Sequence, residues 1–288
     1  MSISSTGISV GGMVLAPVGS KLIDIGGLEL ATPLMGVLVL AGALPVILFV
    51  LVADPAHMGL RPDGHATDGD EPAPLRATLS DDVQRRVWTR AQAARTTTFW
   101  ALLVGFGIVL TAQTGFVIHQ ISFLEDRVGS RSTAALALSI TAFGSIVARL
   151  AVGSFADRVD KRLLTVALFV VQAAAVAGIV ATDNIPITYA LTLVFGFTIG
   201  NVYMMMSLLV GETFGMVSFG TVFGLVTLIG QVGSGVGPLV IGAIEEATGG
   251  YGAAFTSTAA ATALASIVIA VGVRPAAAAP PPPTSPLG

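Results

Sequence analysis

The sequence predicts an all-α, polytopic membrane protein with about eight transmembrane helices. Hydrophobic residues make up 53% of the 288-residue chain and charged residues only 11%, whereas a soluble domain carries about 25% charged residues. The mean hydropathy is +0.85, and the 34 glycines suit helices that pack closely within a bilayer. Apolar runs of roughly 20 residues, enough to cross a hydrocarbon core of about 30 Å, recur along the chain.

Two apolar segments open the chain and form the first predicted region, residues 1–53. They cover residues 3–22 and 31–52 and are separated by a short polar turn. Residues 54–97 then change composition completely, with many acids and arginines and no apolar run. We expect a cytoplasmic linker there, either a solvated loop throughout or a loop with one short amphipathic helix near residues 81–95.

Six further apolar segments form the largest predicted region, residues 98–273. They cover residues 99–121, 134–155, 163–181, 187–210, 219–244 and 253–273. Each is long enough to span the hydrocarbon core. Residues 274–288 are rich in alanine and proline with nothing to pack, which predicts a disordered tail.

The basic residues predict the orientation of these segments. If the linker is cytoplasmic, its side of the membrane holds most of the cations, and this asymmetry matches the positive-inside rule. That side holds Arg61, Arg76, Arg85, Arg86, Arg90, Arg95, Arg158, Lys161, Arg162 and Arg274, and the opposite side holds Lys21, Arg127 and Arg131. Both termini are therefore expected in the cytoplasm.

Composition also narrows the classes of function. The chain contains no cysteine, which removes disulfides, thiolate metal sites and cysteine nucleophiles. The three histidines are isolated, and the basic residues are too scattered for nucleic acid. We expect no metal, no cofactor and no enzymatic activity, because no nucleophile–base pair is evident. Membrane lipid and a small solute are the expected partners.

Arg149 is the residue whose position most needs a function. It lies inside an apolar segment about two turns before Asp157, and so about 12 Å deeper along the helix axis. An arginine at such a depth is costly and is a functional candidate by default. The acids of the chain lie at helix ends or in loops, so no embedded carboxylate is available to pair with it. Alternatively, it snorkels to the interface or pairs with a helix that this chain lacks.

The turn after this segment reads Gly153-x-x-x-Asp157-Arg158-x-x-Lys161-Arg162. It resembles the loop signature of the major facilitator superfamily, which normally reads G-x-x-x-D-R-x-G-R-R. An aspartate, Asp160, stands where glycine is usual, and we expect this to loosen the turn. The pattern D-P-x-x-x-G-L-x-P-D-G at residues 54–64 resembles the start of the family's central loop in bacterial members. The resemblance therefore implies a bacterial inner membrane.

Further motifs resemble one branch of that family, the monocarboxylate transporter and oxalate–formate antiporter-like branch. Ser-Val-Gly-Gly at residues 9–12, with Pro17 and Asp24, is similar to helix five of this branch. Val-Ala-Arg at residues 147–149, followed by Gly153, resembles its helix-eight arginine motif. The chain would then hold helices five to twelve, which are the last two helices of the amino-terminal half and the six-helix carboxyl-terminal half. Helices one to four have no counterpart.

The resemblance implies roles for the arginine and for the turn. Arg149 would hold the substrate carboxylate, because a guanidinium fork matches a carboxylate and stays charged. The turn would latch the cytoplasmic ends of neighbouring helices during alternating access; alternatively it is a solvated anchor that fixes orientation. The gating candidates are Gly153, Asp157, Arg158, Lys161 and Arg162, with Glu212 as either a latch partner or a plain interfacial acid.

Other polar residues inside the apolar segments are candidates for lining a substrate cavity, or for ordinary interhelical hydrogen bonds. They are Gln113, His119, Asn201, Tyr203 and Gln231, with Gln172 a weaker candidate. His119 is a candidate proton shuttle, since histidine is the side chain that ordinarily exchanges a proton near physiological pH, so protons are a candidate coupling ion. Gln231 stands where oxalate-type members of the branch carry a lysine, which favours a monoanionic or uncharged substrate over a dicarboxylate.

The predicted function is secondary active transport of a small organic anion, specifically a monocarboxylate, by alternating access. Because helices one to four have no counterpart, the chain is expected to be truncated or to have a misplaced start. The alternative is a non-transporting remnant or an assembly partner in the membrane. A membrane enzyme is the weakest alternative.

Overall fold

The computed structural model describes residues 2–49 and 88–274, and regular structure within these ranges is helical throughout. The chain divides into two units, one of residues 10–78 and the other of residues 1–9 with 79–288. The helices are α1 (Ser2–Phe49), α2 (Arg90–Ala94), α3 (Thr97–Val128), α4 (Arg131–Phe155), α5 (Lys161–Ala181), α6 (Ile185–Ile199), α7 (Val202–Thr248) and α8 (Tyr251–Gly272), with a short 3₁₀ turn at Ala156–Arg158. The predicted all-α class is confirmed for the described part of the chain.

Six candidate membrane spans are found among the described residues. They are Ile25–Phe49, Thr97–Val128, Leu136–Phe155, Lys161–Ala181, Ile185–Thr248 and Tyr251–Gly272, each long and apolar enough to cross a bilayer. This agrees with the predicted integral, polytopic membrane protein. The predicted count of about eight crossings is not confirmed.

Helix α1 is interrupted within its length. Its backbone leaves helical geometry at Gly26 (φ −147°, ψ 19°) and Gly27 (φ 68°, ψ −174°). A positive φ is readily adopted only by glycine, which has no Cβ to clash with the preceding carbonyl. The interruption falls between the two apolar segments that the sequence predicts at residues 3–22 and 31–52.

The longest candidate span is also interrupted. A straight helix of its 64 residues would be about 96 Å long, about three times the thickness of a hydrocarbon core. The backbone turns at Gly200 and Asn201, between α6 and α7, and again at Gly215 (φ 72°, ψ 166°) within α7. Gly215 lies between two predicted segments, whereas the turn at residues 200 and 201, called the 200–201 bend below, lies inside one of them and was not predicted.

Small residues let α3 and α7 cross at close range. A Cβ added at Gly115 of α3 would lie 2.8 Å from the carbonyl oxygen of Gly237 in α7. One added at Gly237 would collide with the carbonyl oxygen of Thr111. Contacts this close exclude any side chain at either glycine, as is common where membrane helices associate.

A second close crossing joins α4 to α6. A Cβ at Gly196 would lie 2.5 Å from the carbonyl oxygen of Thr141, and one at Gly200 would lie 2.5 Å from that of Ser145. The two glycines form a G-x-x-x-G motif, and the two residues that face them are also small and four positions apart. This crossing places α4 directly against the 200–201 bend.

Aromatic rings fill the core of the bundle formed by α3 to α8. Phe106 of α3 packs edge-on against Phe169 of α5, with ring centroids 5.6 Å apart. Further along α3, the ring of Phe116 lies 4.6 Å from both Phe195 of α6 and Phe255 of α8. All five side chains are buried.

Contacts at successive depths fix the directions of the helices. Phe106 of α3 contacts Phe169 of α5, and further along α3 Arg127 donates to the carbonyl of Thr182, just after α5 (2.5 Å). Both helices thus advance in the same direction between these two contacts, so α3 and α5 run parallel. Phe116 of α3 contacts Phe195 of α6, and one turn further along α3 Gln120 donates to Thr192 (3.4 Å). Thr192 precedes Phe195 in the chain, so α6 runs antiparallel to α3.

The described end of the predicted linker is folded against the bundle. Thr89 and Gln92 form a capping box at the start of α2. The Trp88 backbone N–H donates to Ser218 Oγ (2.6 Å), and its ring meets Phe214 edge-on at 5.5 Å. Part of the predicted amphipathic helix is therefore present as α2. The remainder of the linker up to residue 87, and the tail from residue 275, lie outside the described residues.

Candidate functional site

The 200–201 bend is the centre of the candidate site. In a regular helix the N–H of Asn201 would bond to the carbonyl of Phe197, but here it bonds to Thr198 (3.1 Å). The Asn201 side-chain Nδ2 donates to the Phe197 carbonyl instead (3.1 Å). The Asn201 side chain thus supplies the Phe197 carbonyl with the hydrogen bond that the Asn201 backbone N–H no longer makes. Within a membrane, the backbone groups that a bend frees need such a replacement.

Arg149 joins this bend from α4. Its side chain is only 8% exposed, and its Nε donates to the carbonyl oxygen of Gly200 at 2.9 Å. A glycine is required at that position because Ser145, one turn before the arginine, lies directly against it. Arg149 is therefore oriented by a backbone carbonyl at the bend, inside a segment long enough to span the bilayer.

Tyr203 and Gln231 form a second pair near the bend. The Tyr203 hydroxyl donates to Gln231 Oε1 at 2.8 Å, and both side chains are exposed. Tyr203 lies about one turn after the bend, whereas Gln231 belongs to the part of α7 beyond Gly215. The structure therefore brings together two of the predicted substrate-binding residues, close to a third, Asn201.

Gln113 and Asn201 are placed differently from the Tyr203 and Gln231 pair. Gln113 is 5% exposed and Asn201 is fully buried. Neither Gln113 Oε1 nor Asn201 Oδ1 has a hydrogen-bond partner among the described residues. Both carboxamides are inside the bundle, and they have polar atoms that remain to be satisfied.

His119 lies apart from the bend, between three helices. Its Nε2 is 3.0 Å from the carbonyl oxygen of Pro238 in α7, and its Nδ1 is 3.3 Å from the Tyr251 hydroxyl in α8. A carbonyl can only accept, so Nε2 carries the hydrogen and the neutral ring accepts from tyrosine at Nδ1. The histidine thus connects α3 to the proline in α7 and to the start of α8.

Among the described side chains of the charged turn between α4 and α5, those of Lys161, Arg162 and Asp160 make contacts. Lys161 Nζ lies 3.7 Å from Glu212 Oε2, so these two gating candidates are paired. Arg162 donates to the Ala270 carbonyl in the last turn of α8. Asp160 accepts from the Leu163 N–H at 2.9 Å and is the N-cap of α5. The expectation that Asp160 loosens the turn was wrong, because its carboxylate satisfies a helix N-terminus that glycine would leave open.

Of the remaining gating candidates, Gly153 and Arg158 make no such contact within the described residues. Gly153 lies half-buried in the last turn of α4, and the Arg158 side chain is exposed. The side chain of Asp157 lies outside the described part of the structure. The latch role of the turn stays a prediction.

Arg127 is a structural residue that the sequence reading used only for orientation. Its guanidinium donates to the carbonyls of Ile179 (3.0 Å), Val180 (3.3 Å) and Thr182 (2.5 Å) at the end of α5. It also lies 4.3 Å above the ring of Phe123. A cation at a helix C-terminus satisfies carbonyls that lack helical partners and opposes the helix dipole.

A cavity in the described part of the structure is not lined by Arg149. It has a volume of about 360 Å³ and is lined by apolar parts of α3, α7 and α8, including Ile108, Ile229 and Val240. None of the predicted site residues lines it. Within the described residues, no group of three or more His, Asp or Glu side chains is arranged to hold a metal ion.

A helical bundle with six candidate spans and glycine-rich crossings among its described residues defines a polytopic membrane protein. The family model described as the Major Facilitator Superfamily matches residues 115–287, more than half of the chain. The chain therefore belongs to the Major Facilitator Superfamily. No curated protein matches it.

Among solved structures, the fold is similar to that of a variant of the E. coli fucose:proton symporter FucP. The TM-score is 0.61 at 16% sequence identity, and the match covers 95% of this chain and 68% of the symporter chain. At this identity the likeness concerns the fold.

Proposed function

We propose that the protein is a secondary transporter of a small organic anion, specifically a monocarboxylate, that works by alternating access. It would cross the membrane eight times, because the interruptions at Gly26 and Gly27 and at Gly215 divide the two longest helices close to where the sequence predicts turns. Its regions would be residues 1–53, the linker 54–97, the bundle 98–273 and the tail 274–288. The family motifs and the basic residues support a bacterial inner membrane with both termini in the cytoplasm.

The observation that carries this proposal is the setting of Arg149. A buried guanidinium inside a membrane span is costly and is retained where it acts on a substrate or an ion. Arg149 is held by the Gly200 carbonyl at a bent helix, and interrupted helices are where secondary transporters build their binding sites. A carboxylate is the ligand that best matches a guanidinium. This supports the monocarboxylate branch suggested by the motif around Arg149.

The charged turn supports the alternating-access part of the proposal. Lys161 is paired with Glu212, and Arg162 reaches the last turn of α8, so the turn ties the start of α5 to two other helices. The contact between half-buried Lys161 and exposed Glu212 is long, at 3.7 Å, and open to solvent on one side. A contact of this kind contributes little free energy, about 0–1 kcal/mol, so it can form and break during a transport cycle. His119 remains our candidate for proton coupling, since it links three helices.

Uptake into proteoliposomes tests the proposal. Purified protein would be reconstituted, and uptake of radiolabelled lactate and pyruvate measured with and without a proton gradient. We expect uptake of at least one of them, and Arg149→Gln should lower it by about tenfold or more, since a hydrogen bond to a charged group is worth about 1.5–3 kcal/mol. Arg149→Lys keeps the charge but loses the planar fork, so its uptake should lie between that of the unaltered protein and that of Arg149→Gln.

Arg90→Gln is the matched control, because Arg90 is an exposed arginine of α2 outside the candidate site. It should transport like the unaltered protein. Equal uptake by Arg149→Gln, or uptake of L-fucose in place of the acids, would contradict the proposed substrate class. An absence of flux from folded, reconstituted protein would instead support the non-transporting remnant or assembly partner.

A further inference from the structure

Three carboxamide side chains inside the bundle have polar atoms without partners. Gln172 of α5 is fully buried, and neither its Nε2 nor its Oε1 has a hydrogen-bond partner among the described residues. The same is true of Gln113 Oε1 in α3 and of Asn201 Oδ1 at the 200–201 bend. Buried polar atoms are nearly always hydrogen-bonded to protein or to ordered water, so this group needs an explanation.

Gln113 and Gln172 lie at similar depths in the bundle. Phe106 and Phe169 are in ring contact and mark one depth on the parallel helices α3 and α5. At a rise of 1.5 Å per residue, Gln172 lies about 5 Å beyond Phe169, and Gln113 lies about 10 Å beyond Phe106. The two side chains are therefore separated by about 6 Å along the bundle axis.

Asn201 falls between them in depth. Phe116 and Phe195 are in ring contact on the antiparallel helices α3 and α6. Counting back from that contact, Gln113 lies about 5 Å away and Asn201 about 9 Å away in the same direction. All three carboxamides thus lie within a slice of the core about 6 Å thick, and all three are buried rather than directed to the surface.

A neighbouring glutamine shows that the bundle can supply partners to both the nitrogen and the oxygen of a buried carboxamide. Gln120 of α3 is 1% exposed. Its Nε2 donates to Thr192 Oγ1 (3.4 Å), and its Oε1 accepts from Thr141 Oγ1 (3.4 Å). Gln113, about two turns earlier on the same helix, has no such partner for its oxygen.

We infer that Gln113, Gln172 and Asn201 each bind buried water inside the bundle, at similar depths along its axis, with the Asn201 water beside the 200–201 bend. Water both donates and accepts, so it satisfies either orientation of each carboxamide, and buried water typically makes about three hydrogen bonds to such groups. No charged side chain is required at these positions. They are internal hydration sites, distinct from the exposed Tyr203 and Gln231 pair.

The position of the water at Asn201 gives it a role towards Arg149. Asn201 directly follows Gly200, whose carbonyl accepts from the arginine. Water held at the bend adds mobile dipoles next to the guanidinium from within the bundle. Such dipoles stabilise a buried charge in the membrane interior.

Water-edited solid-state NMR on reconstituted, ¹⁵N-labelled protein tests the inference directly. The side-chain N–H signals of Gln172 and Gln113 should receive magnetisation from water, whereas those of Gln120, equally buried but bonded to two threonines, should receive little. Equal and slow transfer to all three glutamines would overturn the inference. This readout does not depend on transport, so it succeeds or fails independently of the proposed substrate.

The melting temperature of a variant provides a second test. It should change in opposite directions if Gln172 binds water and if Gln172 is simply unsatisfied. Gln172→Met has similar volume and no polar atoms. If Gln172 binds water, the variant leaves that water without a partner, and the apparent melting temperature should fall. If the carboxamide is simply unsatisfied, removing it should raise the melting temperature. A raised melting temperature would therefore contradict the hydration site.

Discussion

Arg149 carries a guanidinium that is 8% exposed within a segment long enough to cross a bilayer. Arg149 can be identified from the sequence, because an arginine within an apolar segment is conspicuous. What the sequence could not provide is the acceptor, since the Gly200 carbonyl becomes available only where α6 bends into α7. Single residues of this kind can be found from hydropathy, but their partners depend on the crossing of helices that are distant in sequence.

Gln113 and Asn201 also show what the sequence cannot predict, namely which polar side chains are buried. They were predicted to line a cavity, together with Tyr203 and Gln231, and that role stays a prediction. The structure buries the first two and exposes the last two. Helices α3 and α7, which carry most of these residues, are largely apolar around their whole circumference, so periodicity cannot show which of their faces is buried and which faces a cavity.

Arg127 gives a prediction at the scale of one side chain. Arg127→Ala should destabilise the protein, because it removes a charged donor from three backbone carbonyls at the end of α5. A hydrogen bond to a charged group contributes about 1.5–3 kcal/mol, so we expect a clear fall in the apparent melting temperature in detergent. Arg158→Ala is the control, because the Arg158 side chain is exposed. Equal melting temperatures for both variants would contradict the capping role.

At the scale of helices, the sequence predicts where apolar segments lie but not how they are interrupted. Hydropathy locates the segments because the thickness of the bilayer sets their length. The bend at Gly200 and Asn201 was missed, although the G-x-x-x-G motif ending at Gly200 was a visible signal. Small residues at this spacing indicate a close crossing, and the structure shows that crossing against Thr141 and Ser145.

Two glycines of α7 provide a matched test of close packing. Gly237→Ala should destabilise the bundle, because its Cβ would collide with the Thr111 carbonyl oxygen in α3. Gly235→Ala, two positions away, meets nothing within 4 Å and should be neutral or stabilise by up to about 1 kcal/mol through helix propensity. Melting temperatures of the two variants check this. The reverse order would show that α3 and α7 do not cross as described.

At the scale of the whole molecule, the all-α class and the superfamily were predictable from composition and one loop signature. The family match over residues 115–287 confirms the superfamily, whereas the monocarboxylate branch remains our proposal. The number of crossings also remains a proposal, because it depends on how Gly26, Gly27 and Gly215 divide long helices. Composition alone cannot place such interruptions.

The orientation of the chain can be tested without background labelling, because it contains no cysteine. Arg158→Cys and Asp183→Cys place single thiols at the two ends of α5, and the Asp183 side chain is fully exposed. In intact cells, a membrane-impermeant maleimide should label the cysteine at position 183 and leave the one at position 158 unlabelled until the membrane is permeabilised. The opposite pattern would reverse the predicted orientation, and labelling of both in sealed cells would show that α5 does not span the membrane.

The central claim is that Arg149 binds the carboxylate of the substrate. The most direct measurement compares thermal stabilisation of the purified protein by small monocarboxylates with stabilisation by their neutral amides, for example lactate against lactamide and pyruvate against pyruvamide. We predict that at least one acid stabilises the protein. Its amide should need a concentration about tenfold higher, or more, to give the same stabilisation. Arg149→Gln should abolish this difference. Equal stabilisation by acid and amide, no stabilisation by any acid, or a difference that persists in Arg149→Gln would contradict the account.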